Sequence, residues 1–391
     1  MGNRLAPTSA SASVGDAVPV APARTALTSD RAAPHIEGML SAVREFIGAP
    51  NPARFPELAL GLFRFQYERN APYRRFCDRR GHTPPNVTDW AVIPAVPVSA
   101  FKQAELVVGG LPEGSVFVTS GTTEGVERRG RHHVPVPSIY RAAALAHFER
   151  CVLADGVRPR FLVLAPSLAE QPRSSLCQMI EWLAESFASG PPEYFVAGGE
   201  LQADALEQRL RECAPPREPV LLIGLTYAFI RFIDRCQTSG VRFRLPYASR
   251  VVDTGGTKGR SRSLSRNGLL RAFWDYFGVP GYFVANEYGM TEMCSQFYDD
   301  SIQSHFDGRK RDRAKLAPPW VRTQVVSPQT LEPLPRGERG LLRHFDLANV
   351  GSVAALQTED VGIEVGEGFE VVGRASGAEA RGCALLLEQV A

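Results

Sequence analysis

The amino-acid sequence predicts an α/β protein, with a layered and mostly parallel α/β core followed by a small β subdomain. Three observations carry this expectation. Through the middle of the chain short apolar runs alternate with stretches at helical spacing, and such alternation implies crossover connections between parallel strands. From Val321 onward the pattern changes to short strand-like runs separated by Gly and Pro turns. The length of 391 residues also exceeds what one core usually fills, since single cores stop growing near roughly 250–300 residues.

Met1 to Pro34 is rich in Ala, Ser, Pro and Thr and lacks the continuous apolar stretch of a secretory signal, so residues 1–34 read as a disordered tail. Ala6 stands where a myristoylation signal requires Ser or Thr. His35 to Cys77 carries apolar residues at helical spacing, interrupted by Pro50, Pro52 and Pro56. Prolines dominate from Pro84 to Pro97, and Val116–Thr119 is a short apolar strand. Helices are expected over Ser138–Leu153, Ser174–Phe187, Tyr227–Cys236 and Ser263–Phe277. Strands are expected over Phe161–Leu164, Val220–Gly224, Arg250–Val252 and Tyr282–Ala285. Four further strands (Thr323–Val326, Leu341–His344, Val353–Leu356, Phe369–Val372) make up the β subdomain of 321–391, after a core spanning 35–320. The charge run Arg309–Lys315 reads as a solvated loop.

A net charge of +2 with 22% charged residues offers no basic stripe for phosphate backbones, which excludes a nucleic-acid binder. No segment is long and apolar enough to span a bilayer. The seven cysteines include no C-x-x-C pair and no Cys/His grouping at zinc spacing, which points to reduced thiols in a cytoplasmic protein.

Three stretches carry chemistry. Thr119-Ser120-Gly121-Thr122-Thr123-Glu124-Gly125 packs hydroxyls and glycines directly after a strand, as a loop wrapping a polyphosphate requires. No Lys follows Gly125, so it is not a P-loop of the GKS/T kind, and taken alone it is more often a surface turn. Asn286-Glu287-Tyr288-Gly289-Met290-Thr291-Glu292 follows an apolar strand, where open α/β sheets bind ligands. Tyr288 can stack on a base, Thr291 donate to a phosphate, and Glu292 hold Mg²⁺; singly, Glu292 is equally an exposed helix-start carboxylate. Thr358-Glu359-Asp360-Val361-Gly362 reads as an acidic turn able to accept ribose hydroxyls, and by itself is merely a turn.

In this order the three stretches resemble the adenylate-forming superfamily of acyl and aryl ligases. Asp253-Thr254-Gly255-Gly256-Thr257-Lys258 is similar to its Gly-Gly segment lining the acyl and adenine pocket, and Gly373-Arg374 to its Gly-Arg hinge. The resemblance runs from about Pro84 to the C-terminus. It implies the core fold of that superfamily's N-terminal domain, ATP and Mg²⁺ as cofactors, and attack of a carboxylic acid on the α-phosphate of ATP. It also implies site roles. Thr119, Ser120, Gly121, Thr122, Thr123 and Gly125 would hold the phosphates. Gly255 and Gly256 would line the pocket, and Tyr288 and Gly289 flank adenine. Thr291 would contact the α-phosphate, Glu292 the metal and Asp360 the ribose, with Arg374 a further ribose or phosphate contact.

Usual members continue beyond the hinge into a swivelling lid that delivers a catalytic lysine, whereas this sequence stops at Ala391 and its only lysines are Lys102, Lys258, Lys310 and Lys315. The lid is therefore expected to be absent, with Lys258 as the candidate to meet phosphate charge, although a solvated loop lysine fits that position equally. The ending Gly-Ala-Glu-Ala-Arg-Gly-Cys-Ala-Leu-Leu-Leu, with Asp-Thr-Gly-Gly-x-Lys-Gly, narrows the resemblance to the acyl-protein synthetase (LuxE) family. That family implies a long-chain fatty acid as substrate, activated with ATP and passed to a cysteine near the C-terminus, here Cys383. Acyltransferase and NADPH-dependent acyl reductase proteins are the implied partners. Without the resemblance, Cys383 is a small buried residue of a final strand. Two other readings stand beside this one: a ligase like phenylacetate-CoA ligase with an external thiol acceptor, and a nucleotide-binding protein without turnover. The other six cysteines are assigned to packing, Cys294 lining the pocket without reacting, and His132-His133, which could gate the acyl pocket or bind phosphate, is taken as an exposed loop pair by default.

Overall fold

The computed structural model describes residues 33–119, 129–215, 217–255, 264–309 and 313–375. Three helices open this part of the chain: α1 (Ala33–Gly48), α2 (Phe55–Arg69) and α3 (Ala71–Arg79). Pro56 and Pro72 sit in the first turns of α2 and α3, where a missing N–H breaks no helical bond. Asn70 ends α2 and caps α3, its Oδ1 accepting the Tyr73 N–H at 3.2 Å.

A short strand β1 (Val96–Pro97) and a hairpin of β2 (Ser115–Val118) and β3 (Arg131–Val134) come next. The alternating part follows as α4 (Pro137–Val152), β4 (Arg160–Leu164), α5 (Ser175–Phe187) and β5 (Glu193–Tyr194). A two-stranded ribbon, β6 (Val196–Ala197) and β7 (Glu200–Leu201), precedes α6 (Ala203–Glu212), β8 (Val220–Leu225), α7 (Thr226–Ser239), β9 (Arg250–Thr254), α8 (Arg266–Phe277) and β10 (Val284–Tyr288). The remainder is β11 (Phe297–Asp299), α9 (Ser301–Phe306), β12 (Lys315–Leu316), β13 (Val321–Val326), β14 (Arg339–Asp346), β15 (Ala355–Val365) and β16 (Gly368–Arg374).

Strands β5, β4, β8, β9 and β10 pair in parallel in that order. Their centre is apolar on both faces, with β4, β8 and β9 buried along nearly their whole length, as a parallel sheet covered by helices demands. Beyond β10 the pairing turns antiparallel through β11, β12, β16, β15, β14 and β13, and β1 adds to β15, giving one 12-stranded sheet. Residues 321–374 form four strands, the third running over Ala355–Val365 rather than Val353–Leu356, and they join the parallel part in the sheet through β12 and β11, where Lys315 pairs with Phe369.

Several local expectations are corrected. Gly281–Phe283 is a 3-10 turn, and the strand expected at Tyr282–Ala285 begins at Val284 and runs to Tyr288, so Asn286, Glu287 and Tyr288 are strand residues and the loop starts at Gly289. Thr358–Gly362 lies inside β15 rather than at a turn: Asp360, Val361 and Gly362 pair with β16, and the β14 register shifts opposite Thr358–Asp360, where the Asp360 N–H donates to Thr358 Oγ1. His132 and His133 lie in β3, not in an exposed loop. The solvated reading of Arg309–Lys315 fails at its end, where Arg313 and Lys315 both pair with the buried carboxylate of Asp299.

Candidate functional site

Adjacent parallel strands bring two of the sequence stretches side by side. At the carboxyl ends of β9 and β10, Asn286 pairs with Asp253 and Glu287 with Thr254. Asp253 accepts from Arg266 at 2.6 Å, from Asn286 Nδ2 at 2.9 Å and from the Thr226 hydroxyl at 3.0 Å. Gly255 then leaves β9 with φ +70°, a left-handed conformation that favours glycine, and its carbonyl accepts from Thr226 Oγ1 at 2.8 Å.

A second knot lies one strand further. Asp299 binds Lys315 at 2.7 Å, Arg313 at 3.0 Å and Arg266 at 3.1 Å. Burial alone would raise this carboxyl, but the three cations outweigh burial and hold it at about 2. The Lys315 ammonium also donates to the carbonyl and side-chain oxygens of Asn286 at 2.7 and 2.6 Å, so its three N–H bonds are all taken by the protein. This knot stiffens the strand that carries Tyr288.

The third stretch arrives by curvature. Four strand steps separate β10 from β15 in the pairing order, about 19 Å in a flat sheet at roughly 4.8 Å per step. Yet the Tyr288 hydroxyl donates to Asp360 Oδ2 at 2.9 Å. The sheet therefore curls over its short strands β11 and β12, and the Tyr288 ring packs near Phe297, Phe369 and His344, with centroids 5.6–5.9 Å away. Arg374, facing Asp360 in the β15/β16 register, reaches its other oxygen at 3.3 Å. Tyr288, Asp360 and Arg374 form one connected group.

Gly289 turns the chain out of β10. A Cβ there would lie 2.5 Å from Glu287 Oε1, so any larger residue would displace that carboxylate. Thr291 and Glu292, half-buried, follow in a turn whose carbonyls are held from elsewhere: His132 Nδ1 lies 2.7 Å from the Thr291 oxygen, and Asn349 Nδ2 donates to the Glu292 oxygen at 2.9 Å. Burial raises the Glu292 carboxyl to about 7, with Arg374 opposing and Asp360 and Glu359 reinforcing the rise, which also places Glu292 beside the Asp360 group. Among the described residues no group of three or more His, Cys, Asp or Glu is arranged to hold a metal. A carboxylate beside a phosphate site suits Mg²⁺, which takes one or two carboxylates together with phosphate oxygens.

Thr119 stands at the neck of the loop that begins after β2. Its N–H donates to the Gly130 carbonyl at 3.0 Å and its Oγ1 accepts the Gly130 N–H at 2.9 Å. His132 pairs with Phe117 across this hairpin, so its contact with Thr291 ties the neck to the Thr291–Glu292 turn. Of the residues singled out from the sequence, the fold therefore gathers Thr119, Gly255, Tyr288, Gly289, Thr291, Glu292, Asp360 and Arg374. Ser120, Gly121, Thr122, Thr123, Gly125, Gly256, Lys258 and Cys383 lie outside the described residues. The other six cysteines are all buried, and Cys294, whose thiol burial pushes well above its ordinary value, is inert packing.

Sequence reasoning takes His132 for an exposed loop residue and Lys315 for a solvated charge, gives Glu287 no role of its own, and passes over Asp299, Asp346 and Asn349. One signal was present: His132 and Val134 share a face of Arg131–Val134, and both are buried. His132 is 1% exposed, and burial brings its imidazole down to about 4 against the bonds to Thr291 and Asn349. Both ring nitrogens face acceptors, so the neutral ring donates to one of the two. Glu287 accepts a hydrogen bond from Thr254. Burial raises it to about 7, with Thr254 and Lys315 pulling the other way and Asp253 adding repulsion.

A model of the family described as acyl-protein synthetase, LuxE, matches residues 53–391. The long-chain-fatty-acid–luciferin-component ligase of Aliivibrio fischeri is 24% identical over 351 residues, covering 85% of this chain and 88% of that protein. Its counterpart from Vibrio harveyi is 24% identical over 366 residues, covering 88% and 92%. Among solved structures, a 2-hydroxyisobutyryl-CoA ligase in an open conformation with 2-HIB-AMP and CoA superposes with a TM-score of 0.59 at 18% identity. The match covers 83% of this chain and 79% of that one and is a likeness of fold.

Proposed function

The chain belongs to the acyl-protein synthetase LuxE family, and from that premise we propose that it is an ATP-dependent, AMP-forming ligase for long-chain fatty acids. In the first step a carboxylate oxygen of the acid attacks the α-phosphorus of ATP and the bond to the β-phosphate oxygen breaks, giving acyl-AMP and pyrophosphate. In the second the Cys383 thiolate attacks the acyl carbonyl carbon, forming the C–S bond while the bond to AMP breaks. The thioester keeps the acyl group activated for a reductase or acyltransferase partner.

The observation that carries this reading is the convergence of three separated stretches. Tyr288 meets Asp360 and Arg374, and the Thr291–Glu292 turn is tied to the neck at Thr119. In this reading Asp360 accepts the ribose hydroxyls and Tyr288 flanks adenine. Thr291 donates to the α-phosphate while Ser120 to Thr123 and Gly125 wrap the β- and γ-phosphates. Gly255 and Gly256 border the acyl and adenine pocket, and Lys258 meets phosphate charge. Mg²⁺ held by Glu292 would neutralise the departing pyrophosphate.

Intact-protein mass spectrometry after incubation with ATP, Mg²⁺ and a panel of fatty acids tests the proposal, with Cys383→Ala alongside. The expected result is an acyl increment removed by hydroxylamine, absent from a variant that still releases pyrophosphate. Pyrophosphate release without an adduct on the native chain would move the acceptor to an external thiol. No release with any acid would refute adenylation.

A further inference from the structure

Asn349 lies in the turn between β14 and β15, far along the chain from both the Thr119 loop and the Thr291–Glu292 turn, and it is 1% exposed. Its side chain is fully used. Nδ2 donates to the Glu292 carbonyl at 2.9 Å and to the Val353 carbonyl at 2.8 Å, while Oδ1 faces His132 Nε2 at 2.9 Å and the Cys294 thiol at 3.6 Å. The turn beneath it is anchored as well. Asp346 accepts from the Ser295 hydroxyl at 2.7 Å and from the Cys294 N–H at 3.0 Å, and Gln66 of α2 donates to the Asn349 carbonyl at 2.9 Å.

Two consecutive carbonyls outside any helix or strand, those of Thr291 and Glu292, are thus met by side chains from β3 and from the β14–β15 turn. A buried polar pair at such a place costs desolvation that apolar packing would avoid, and it returns directional control of the backbone it binds. Resting on the adenylation reading above, we propose that Asn349 and His132 are a positioning pair. They hold the Thr291–Glu292 peptide from below, so that the hydroxyl and the carboxylate meet the nucleotide in register with the loop that Thr119 opens. Neither side chain touches the substrate in this arrangement.

The test is ATP–pyrophosphate exchange with a fatty acid the native enzyme accepts, read as kcat and as KM for each substrate. Asn349→Asp is nearly isosteric but replaces the donor aimed at the Glu292 carbonyl. It is expected to lower kcat by roughly 10–100-fold, the scale on which partners that orient a metal ligand act, with KM for the fatty acid unchanged. His132→Asn retains a donor near the Nδ1 position facing Thr291, whereas His132→Gln retains one near Nε2 facing Asn349. Exchange is expected to survive in His132→Asn and to fall in His132→Gln while the two melt together. This contrast decides the matter if Asn349→Asp fails to fold. Equal kcat in the two histidine variants, or a loss confined to the KM for the fatty acid, overturns the positioning role. Absence of exchange in the native protein with every acid would instead overturn the adenylation reading.

Discussion

Replacing Glu287 by Gln should change the pH dependence of stability in a calculable way. Glu287 is 5% exposed, and burial raises its carboxyl from an ordinary value of 4.5 to about 7. A raised carboxyl binds its proton more tightly in the folded chain, so its contribution is most favourable at low pH. It then costs stability as pH climbs from the unfolded value through the folded one. With one pKa unit equal to about 1.4 kcal/mol, the cost grows by about 2–3 kcal/mol between pH 5 and pH 8. Gln keeps an oxygen for the Thr254 hydroxyl and cannot ionise. Urea unfolding of both proteins at the two pH values isolates this one group, because Asp346, raised by burial to about 6, titrates in both. The variant is expected to gain on the native protein as pH rises. A difference that stays constant within about 0.5 kcal/mol from pH 5 to pH 8 would refute the argument that Glu287 titrates in a buried site.

Asp299→Asn should cost about 3–5 kcal/mol in urea unfolding at pH 7, since it leaves Lys315 and Arg313 without their anion while Arg266 keeps Asp253. The native contribution of this group is present above its unfolded pKa and is lost as pH falls toward 2, so the two proteins should converge in acid. Glu292 must lose its proton to bind a cation, and its raised value of about 7 predicts that apparent Mg²⁺ affinity in pyrophosphate exchange tightens about tenfold from pH 6 to pH 8. Glu292→Gln should flatten that dependence. Asp360→Asn removes an ion pair with the exposed Arg374, worth roughly 0–1 kcal/mol, so the melting temperature should barely move while KM for ATP rises. A melting shift as large as that of Asp299→Asn would mark Asp360 as structural.

Much of this architecture is legible in periodicity. The apolar runs at Phe161–Leu164, Val220–Gly224 and Arg250–Val252 become the buried strands β4, β8 and β9, because a parallel sheet covered on both faces needs continuous apolar sequence. The helices following them begin and end within a few residues of their predicted limits, except that α8 starts at Arg266 rather than Ser263. Elements without such a signal were missed. The two-residue strands β5, β6, β7 and β12 are too short for any period, and β11 and α9 are hardly longer.

The site divides along the same line. Local pattern singled out Gly289, Tyr288, Thr291, Glu292 and Asp360, because runs of hydroxyl, acidic and glycine residues beside an apolar stretch are visible in the sequence alone. What these residues touch was not written locally. Tyr288 reaches Asp360 only because the sheet curls over β11 and β12, and Thr291 is held by His132 only because a hairpin and a turn from distant parts of the chain pack together. Lys315 reads as one charge in a basic run, yet the fold places it against Asp299 and Asn286 in the interior. By itself the sequence determined the alternating α/β order and which stretches carry polar chemistry, since both follow from short-range sterics and periodicity. The tertiary structure alone decided which buried polar groups meet, and so which are pinned and which titrate, because those partnerships join residues far apart in the chain whose meeting depends on sheet curvature and packing.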